Sequence, residues 1–154
     1  RSNLRHSFLI RIAAAAAALA LGGCAAVGGG KTVHSSPNAP VAIGPYSQMV
    51  QSGNMYFLSG VIALNKEGNA MLGTTIEEQT RLVLDYIGEL LRSQGMSYSN
   101  VVMSNVYMKD LNEFAKMNAV YGQYFKEAPP SRATVEVARL PRDARVEIAV
   151  IATK

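Results

Sequence analysis

The chain has no tryptophan and a single cysteine, Cys24, in 154 residues. One cysteine excludes an intrachain disulfide framework and a multi-cysteine zinc site. Charge is sparse too. Charged residues make up 17% of the chain against 49% apolar, a balance that argues against a disordered chain. No apolar run reaches the roughly 20 residues that span a bilayer comfortably. There is no internal repeat. The formal net charge of +4 is unevenly spread. Arg1, Arg5 and Arg11 carry three of the positive charges with no acid among them. Without them, 12 basic residues face 11 acidic ones, a net of +1. A body that balanced lacks the footprint of a polyanion binder, so no nucleic-acid partner is expected. The length suits one domain with a little left over.

The surplus lies at the amino terminus. Residues 1–11 (RSNLRHSFLIR) are basic, and residues 12–21 (IAAAAAALAL) are apolar and Ala-rich. A basic segment, a ten-residue apolar segment and small residues after it describe a secretory signal over 1–23. Leu21-Gly22-Gly23-Cys24 resembles the lipobox of bacterial lipoproteins. That resemblance implies cleavage before Cys24 and acylation of the cysteine. More than one acyl chain would anchor the protein stably to a membrane. Ala25 after the cysteine, by the same resemblance, points to the periplasmic side of the outer membrane. The chain opens on Arg1, so a start further upstream is expected. Residues 24–40 read as the lipidated cysteine and a flexible tether, punctuated by Gly, Ser and Pro. His34, alone in that tether, reads as solvated and not as a metal ligand.

The remainder, 41–154, reads as one α+β domain of order ββ-α-β-α-β-β. Tyr46–Val50 and Met55–Ser59 form a hairpin across Gln51-Ser52-Gly53-Asn54. Ile76, Thr80, Val83, Leu84, Ile87, Leu90 and Leu91 fall on one helical face. Thr75 with Glu78 has capping-box form, and Gly95 suits the C′ position. Val101–Met108 reads as a buried strand. A second helix is expected from near Asp110 or Asn112, with Asp110 and Glu113 as a cap pair. Phe114, Met117, Tyr121, Tyr124 and Phe125 form its stripe, and Pro129-Pro130 its stop. Strands Arg132–Ala138 and Arg145–Ala152 follow. The helix between strands 101–108 and 132–138 permits a right-handed parallel crossover.

Alternation in the last two strands predicts which residues face the helices. Ala133, Val135 and Val137 in one strand, and Val146, Ile148 and Val150 in the other, read as core. Arg132, Thr134, Glu136, Glu147, Ala149 and Ile151 then share the other face. That mixture of charge and apolar surface fits an oligomer interface containing a polar pocket. It equally fits a half-exposed sheet with ordinary surface charges.

Several ordered motifs carry a wider resemblance. They are Asn38-Ala39-Pro40, Ile43-Gly44-Pro45-Tyr46-Ser47-Gln48, Leu58-Ser59-Gly60, Val106-Tyr107-Met108-Lys109-Asp110-Leu111 with Phe114, Asn118 and Tyr121, and Pro130-Ser131-Arg132-Ala133-Thr134-Val135-Glu136-Val137-Ala138-Arg139-Leu140-Pro141, with Val146-Glu147-Ile148 after them. Over residues 36–153 the chain resembles the Rid (reactive intermediate deaminase, or YjgF) family. The resemblance implies a chorismate-mutase-like mixed sheet of about six strands with two helices on one face. It also implies a homotrimer whose sites lie between subunits. The implied activity is hydrolysis of 2-aminoacrylate and other 2-imino acids to 2-keto acids and ammonia, with no cofactor and no metal.

By the same resemblance Arg132 grips the substrate carboxylate, a task suited to a guanidinium fork. Glu147 matches the glutamate that holds or activates the attacking water. Tyr46, Ser59, Gly60, Asn118, Tyr121 and Thr134 match positions lining the site. Departures occur at Val61-Ile62-Ala63, where many relatives read Gln-Ile-Pro, and at Ala133. Two other functions stay open: a non-enzymatic small-ligand or chaperone-like module, favoured by the altered 61–63 segment, and RNA cleavage, disfavoured by the near-neutral charge.

Overall fold

The computed structural model describes residues 30–154. The expected signal and Cys24 lie outside the described residues. The sheet strands are β1 (Thr32–His34), β2 (Met49–Ser52), β3 (Met55–Val61), β4 (Val101–Met108), β5 (Ser131–Glu136) and β6 (Val146–Thr153). Helix α1 (Ile76–Ser93) follows β3, and α2 (Phe114–Tyr124) follows β4. The sheet order is β1-β2-β3-β6-β4-β5. Every neighbouring pair is antiparallel except β4 with β5, so the expected parallel crossover is present. Because β6 runs antiparallel to both β3 and β4, those two strands are themselves parallel. Each helix thus links parallel strands, and both crossovers step the same way across the sheet. Right-handed crossovers then put both helices on one face.

The amphipathic stripe of α1 packs as its spacing predicts. Ile76, Val83, Leu84, Ile87 and Leu91 are fully buried, together with Val146 and Ile148 of β6. Both ends of α1 are capped. The Thr75 side chain accepts from Glu78 N–H, and the Glu78 carboxylate accepts from Thr75 N–H. At the other end Gly95 (φ 69°) lets its N–H reach Arg92 O and Met96 N–H reach Leu91 O, both at 3.0 Å. That pattern is a Schellman closure.

Strand ends shift by one or two residues from expectation, and four boundaries differ in ways that matter. Within the span read as a tether, Thr32–His34 pair with Gln51–Met49 as an edge strand. His34 hydrogen-bonds Gln51 at 2.8 Å and stacks on Tyr56, so it is not simply solvated. The first hairpin strand starts at Met49, because residues 43–47 form a loop. Leu111–Glu113 is a 3₁₀ turn in which the Asp110 carboxylate accepts from Asn112 N–H at 2.8 Å, and α2 begins only at Phe114. Helix α2 ends at Tyr124, well before the prolines. The Phe125 ring turns into the core against Tyr121, with centroids 4.6 Å apart.

Candidate active site

A bulge in β3 shapes the first part of the site. Leu58 pairs with Val150 and Val61 with Ile148, which leaves Ser59 and Gly60 opposite the single residue Ala149. Such an insertion bends a strand and interrupts its ladder. Ser59 N–H donates to Gln48 O at 3.1 Å, and its hydroxyl donates to Ser47 O at 2.6 Å. Ser59 therefore ties down the loop that carries Tyr46. The Tyr46 hydroxyl accepts from Ile43 N–H at 3.2 Å. Gln48 anchors the incoming chain, donating to Pro40 O at 2.6 Å and accepting from Ser36 N–H at 2.7 Å.

Glu147 of β6 lies against this bulge. A Cβ on Gly60 would stand 2.7 Å from the Glu147 carboxyl carbon. Only glycine lets the carboxyl rest there, which explains a glycine inside a strand. Glu147 is half-buried and forms no ion pair among the described residues. Burial alone pushes its carboxyl above the usual glutamate range. Tyr46, Ser59, Gly60, Ile62, Pro141 and Glu147 line a cleft of about 200 Å³.

Arg132 lies elsewhere. With Asn118, Tyr121, Phe125, Pro129 and Pro130 it lines a second cleft of about 420 Å³. Its guanidinium carbon is 4.6 Å from the Tyr121 ring centroid. The register explains the separation. On β4, Ser104 pairs with Arg132 and Tyr107 with Glu147. Strand positions three apart face opposite sides. Arg132 therefore stands on the helix side of the sheet, and Glu147 on the open side.

This corrects the faces expected for β5. Arg132, Thr134 and Glu136 share the side of the helices. Ala133 and Val135 point to the open face, where both are exposed. The expectation equated apolar with helix-covered. Strand β5 is an edge strand at the rim of the helical layer, so its covered side accepts polar residues. For β6 the expectation holds, since Val146, Ile148 and Val150 are buried beside the helices. Thr134 opens onto neither cleft. It aligns with Val106 and Ile148, and its Oγ1 is buried without a hydrogen-bond partner.

Of the residues expected in one site, Tyr46, Ser59, Gly60 and Glu147 come together in one cleft. Asn118, Tyr121 and Arg132 come together in the other. The sequence places Ile62 only in the altered 61–63 segment, and it gives no site role to Pro141 beside Glu147 or to Phe114, whose ring centroid lies 5.7 Å from the Arg132 guanidinium carbon. The motif after Arg139 contains Pro141. Nothing in its pattern showed that the loop folds back onto β3.

Residues 36–154 match the family model described as Endoribonuclease L-PSP. The chain belongs to this family. A RutC family protein from Sulfurisphaera tokodaii is 48% identical over 116 residues, covering 75% of this chain and 93% of that protein. The mouse 2-iminobutanoate/2-iminopropanoate deaminase is 38% identical over 124 residues, covering 80% and 92%. Among solved structures, a Rid family protein from Yersinia pestis superposes with a TM-score of 0.78 at 38% identity, covering 81% of this chain and all of that one. The Endoribonuclease L-PSP family thus includes relatives named for imine deamination, and the six-stranded sheet with two helices on one face is its fold.

Proposed function

We propose that this protein hydrolyses 2-imino acids and their enamine forms, such as 2-aminoacrylate, to 2-keto acids and ammonia. One observation carries the reading: the half-buried, unpaired carboxyl of Glu147 on the wall of a cleft. A carboxyl of raised pKa exchanges protons more readily near neutral pH. In the proposed reaction a water oxygen bonds to the imine carbon and Glu147 takes a proton from it. That proton passes to nitrogen, giving a carbinolamine. The hydroxyl proton, the water's second, then moves to nitrogen as the carbon–nitrogen bond breaks, so that ketone and ammonia leave. An enamine enters this route by first moving a proton from nitrogen to its terminal carbon. Arg132 holds the substrate carboxylate through its fork of N–H donors.

Arg132 and Glu147 are on opposite sides of one subunit's sheet, so they serve one substrate only if they come from different subunits. We therefore assign a homotrimer, with the apolar open face at its centre and each site between neighbours. The exposed Phe57 and Val135 on that face support this reading. The test is keto-acid release from imino acids generated in situ by an amino-acid oxidase. Wild type should exceed the spontaneous rate. Glu147→Gln should lose about 10²–10⁴-fold. Unchanged turnover in Glu147→Gln would sink the assignment. Keto-acid binding without turnover in wild type would favour the ligand-binding module instead.

The amino-terminal signal and Cys24 support export and lipid anchoring in the cell envelope. Mass spectrometry of the membrane fraction should find an acylated Cys24. Cys24→Ala should move the protein out of that fraction, and an unmodified Cys24 would refute the anchor.

A further inference from the structure

Arg132 is half-buried and has no acidic partner among the described residues. What it has is an aromatic surface. Its guanidinium carbon sits 4.6 Å from the Tyr121 ring centroid and 5.7 Å from that of Phe114. Tyr121 is itself fixed. It is 6% exposed, and Phe125 packs against it with centroids 4.6 Å apart. Phe125 in turn meets the Tyr98 ring edge-on at 5.5 Å. The Tyr121 hydroxyl points inward, towards Ser104 Oγ, and neither hydroxyl has a hydrogen bond of good geometry. Ser104 is the cross-strand partner of Arg132. Burial keeps this phenol protonated well above neutral pH, so it is not a proton carrier.

We propose that Tyr121 is a positioning residue for Arg132. Its ring, braced by Phe125, holds the guanidinium at the wall of the Asn118–Pro130 cleft and so sets the affinity for a carboxylate ligand. A guanidinium over an aromatic face is attracted by the ring quadrupole, and the attraction is larger where water is excluded. An arginine held this way loses less side-chain entropy when it grips a carboxylate. The inference rests on the reading that Arg132 binds the substrate carboxylate. It adds that the ring of Tyr121, and not its hydroxyl, is what matters.

The experiment uses the full chain and pyruvate as a carboxylate probe that is not turned over, with affinity read by titration calorimetry. Tyr121→Leu should weaken pyruvate about tenfold and raise KM for imino acids by a similar factor, with a smaller change in kcat. Tyr121→Phe keeps the ring and should recover affinity to within about threefold of wild type. A merely structural role would lower thermal stability without splitting KM from kcat. Three results would overturn the proposal: pyruvate affinity unchanged in Tyr121→Leu, a fall in kcat at constant KM, or a tenfold loss in Tyr121→Phe. The Phe variant keeps the test decisive if the Leu variant does not fold. Failure of the underlying reading looks different: Arg132→Ala would then bind pyruvate as well as wild type.

Discussion

The carboxyl of Glu147 rests over the backbone of Gly60, half out of water and, among the described residues, without an ion-pair partner. Its folded pKa is raised, so the protonated form favours the fold. The stability it contributes is present below the unfolded glutamate pKa and is lost as pH rises through the folded value. Where it is ionised, the group is therefore a cost to stability, and one that the proposed reaction requires. Two expectations follow for Glu147→Gln. The melting temperature at pH 7 should equal or exceed that of wild type. The acid limb of the kcat/KM profile, placed above the usual glutamate range in wild type, should vanish. A Gln variant that kept the same acid limb would assign it to another group. Gly60→Ala tests the geometry from the other side. The new methyl displaces the flexible end of Glu147, so activity should fall at least tenfold while stability drops by only about 1 kcal/mol. Denaturant midpoints and kinetics measured together would show the split. The motif around Arg132 and the sequence Val146-Glu147-Ile148 were legible as marks of the family. The reason for Gly60 was not, because it depends on a bulge in β3 that sets this backbone against the Glu147 side chain of the neighbouring strand.

Elements were legible where the local signals agreed. In α1 the 3.6-residue stripe, the Thr75–Glu78 box and Gly95 all point to the same boundaries, and the helix obeys them. Thr75→Ala should therefore cost about 1 kcal/mol, read as a lower urea midpoint at unchanged slope, with activity intact at 25 °C. No loss of stability would mean that the cap contributes nothing measurable. Strand β1 was illegible because three residues of Thr, Val and His after glycines carry no period. It forms only because Met49–Ser52 present a free edge. Strand β5 was legible as a strand but not in orientation. Its alternation is clear, yet both its sides are partly covered, one by the rings of α2 and the other, in the proposed trimer, by a neighbouring subunit. Period alone cannot say which side is which.

At the scale of the molecule, the two clefts and the open apolar face raise a single question: whether one subunit can act alone. Val135→Asp places a charge on that face at a position 45% exposed in the single subunit. The lone chain should tolerate it, while an assembly that buries it should not. Light scattering should then report monomers with native circular dichroism and no deaminase activity. A stronger test mixes two dead variants. Arg132→Ala keeps an intact Glu147 cleft, and Glu147→Ala keeps an intact Arg132 cleft. Co-refolded at equal ratio, their subunits distribute at random around a closed ring. A working site needs Arg132 from a Glu147→Ala subunit and Glu147 from an Arg132→Ala neighbour, so about one quarter of all sites are complete. Activity should return to about a quarter of the wild-type rate, although neither variant has any alone. Complementary residues within one subunit could never produce that recovery. A mixture as inactive as its components, with mixed trimers verified by native mass spectrometry, would place both residues in the same subunit's site or remove one of them from the chemistry.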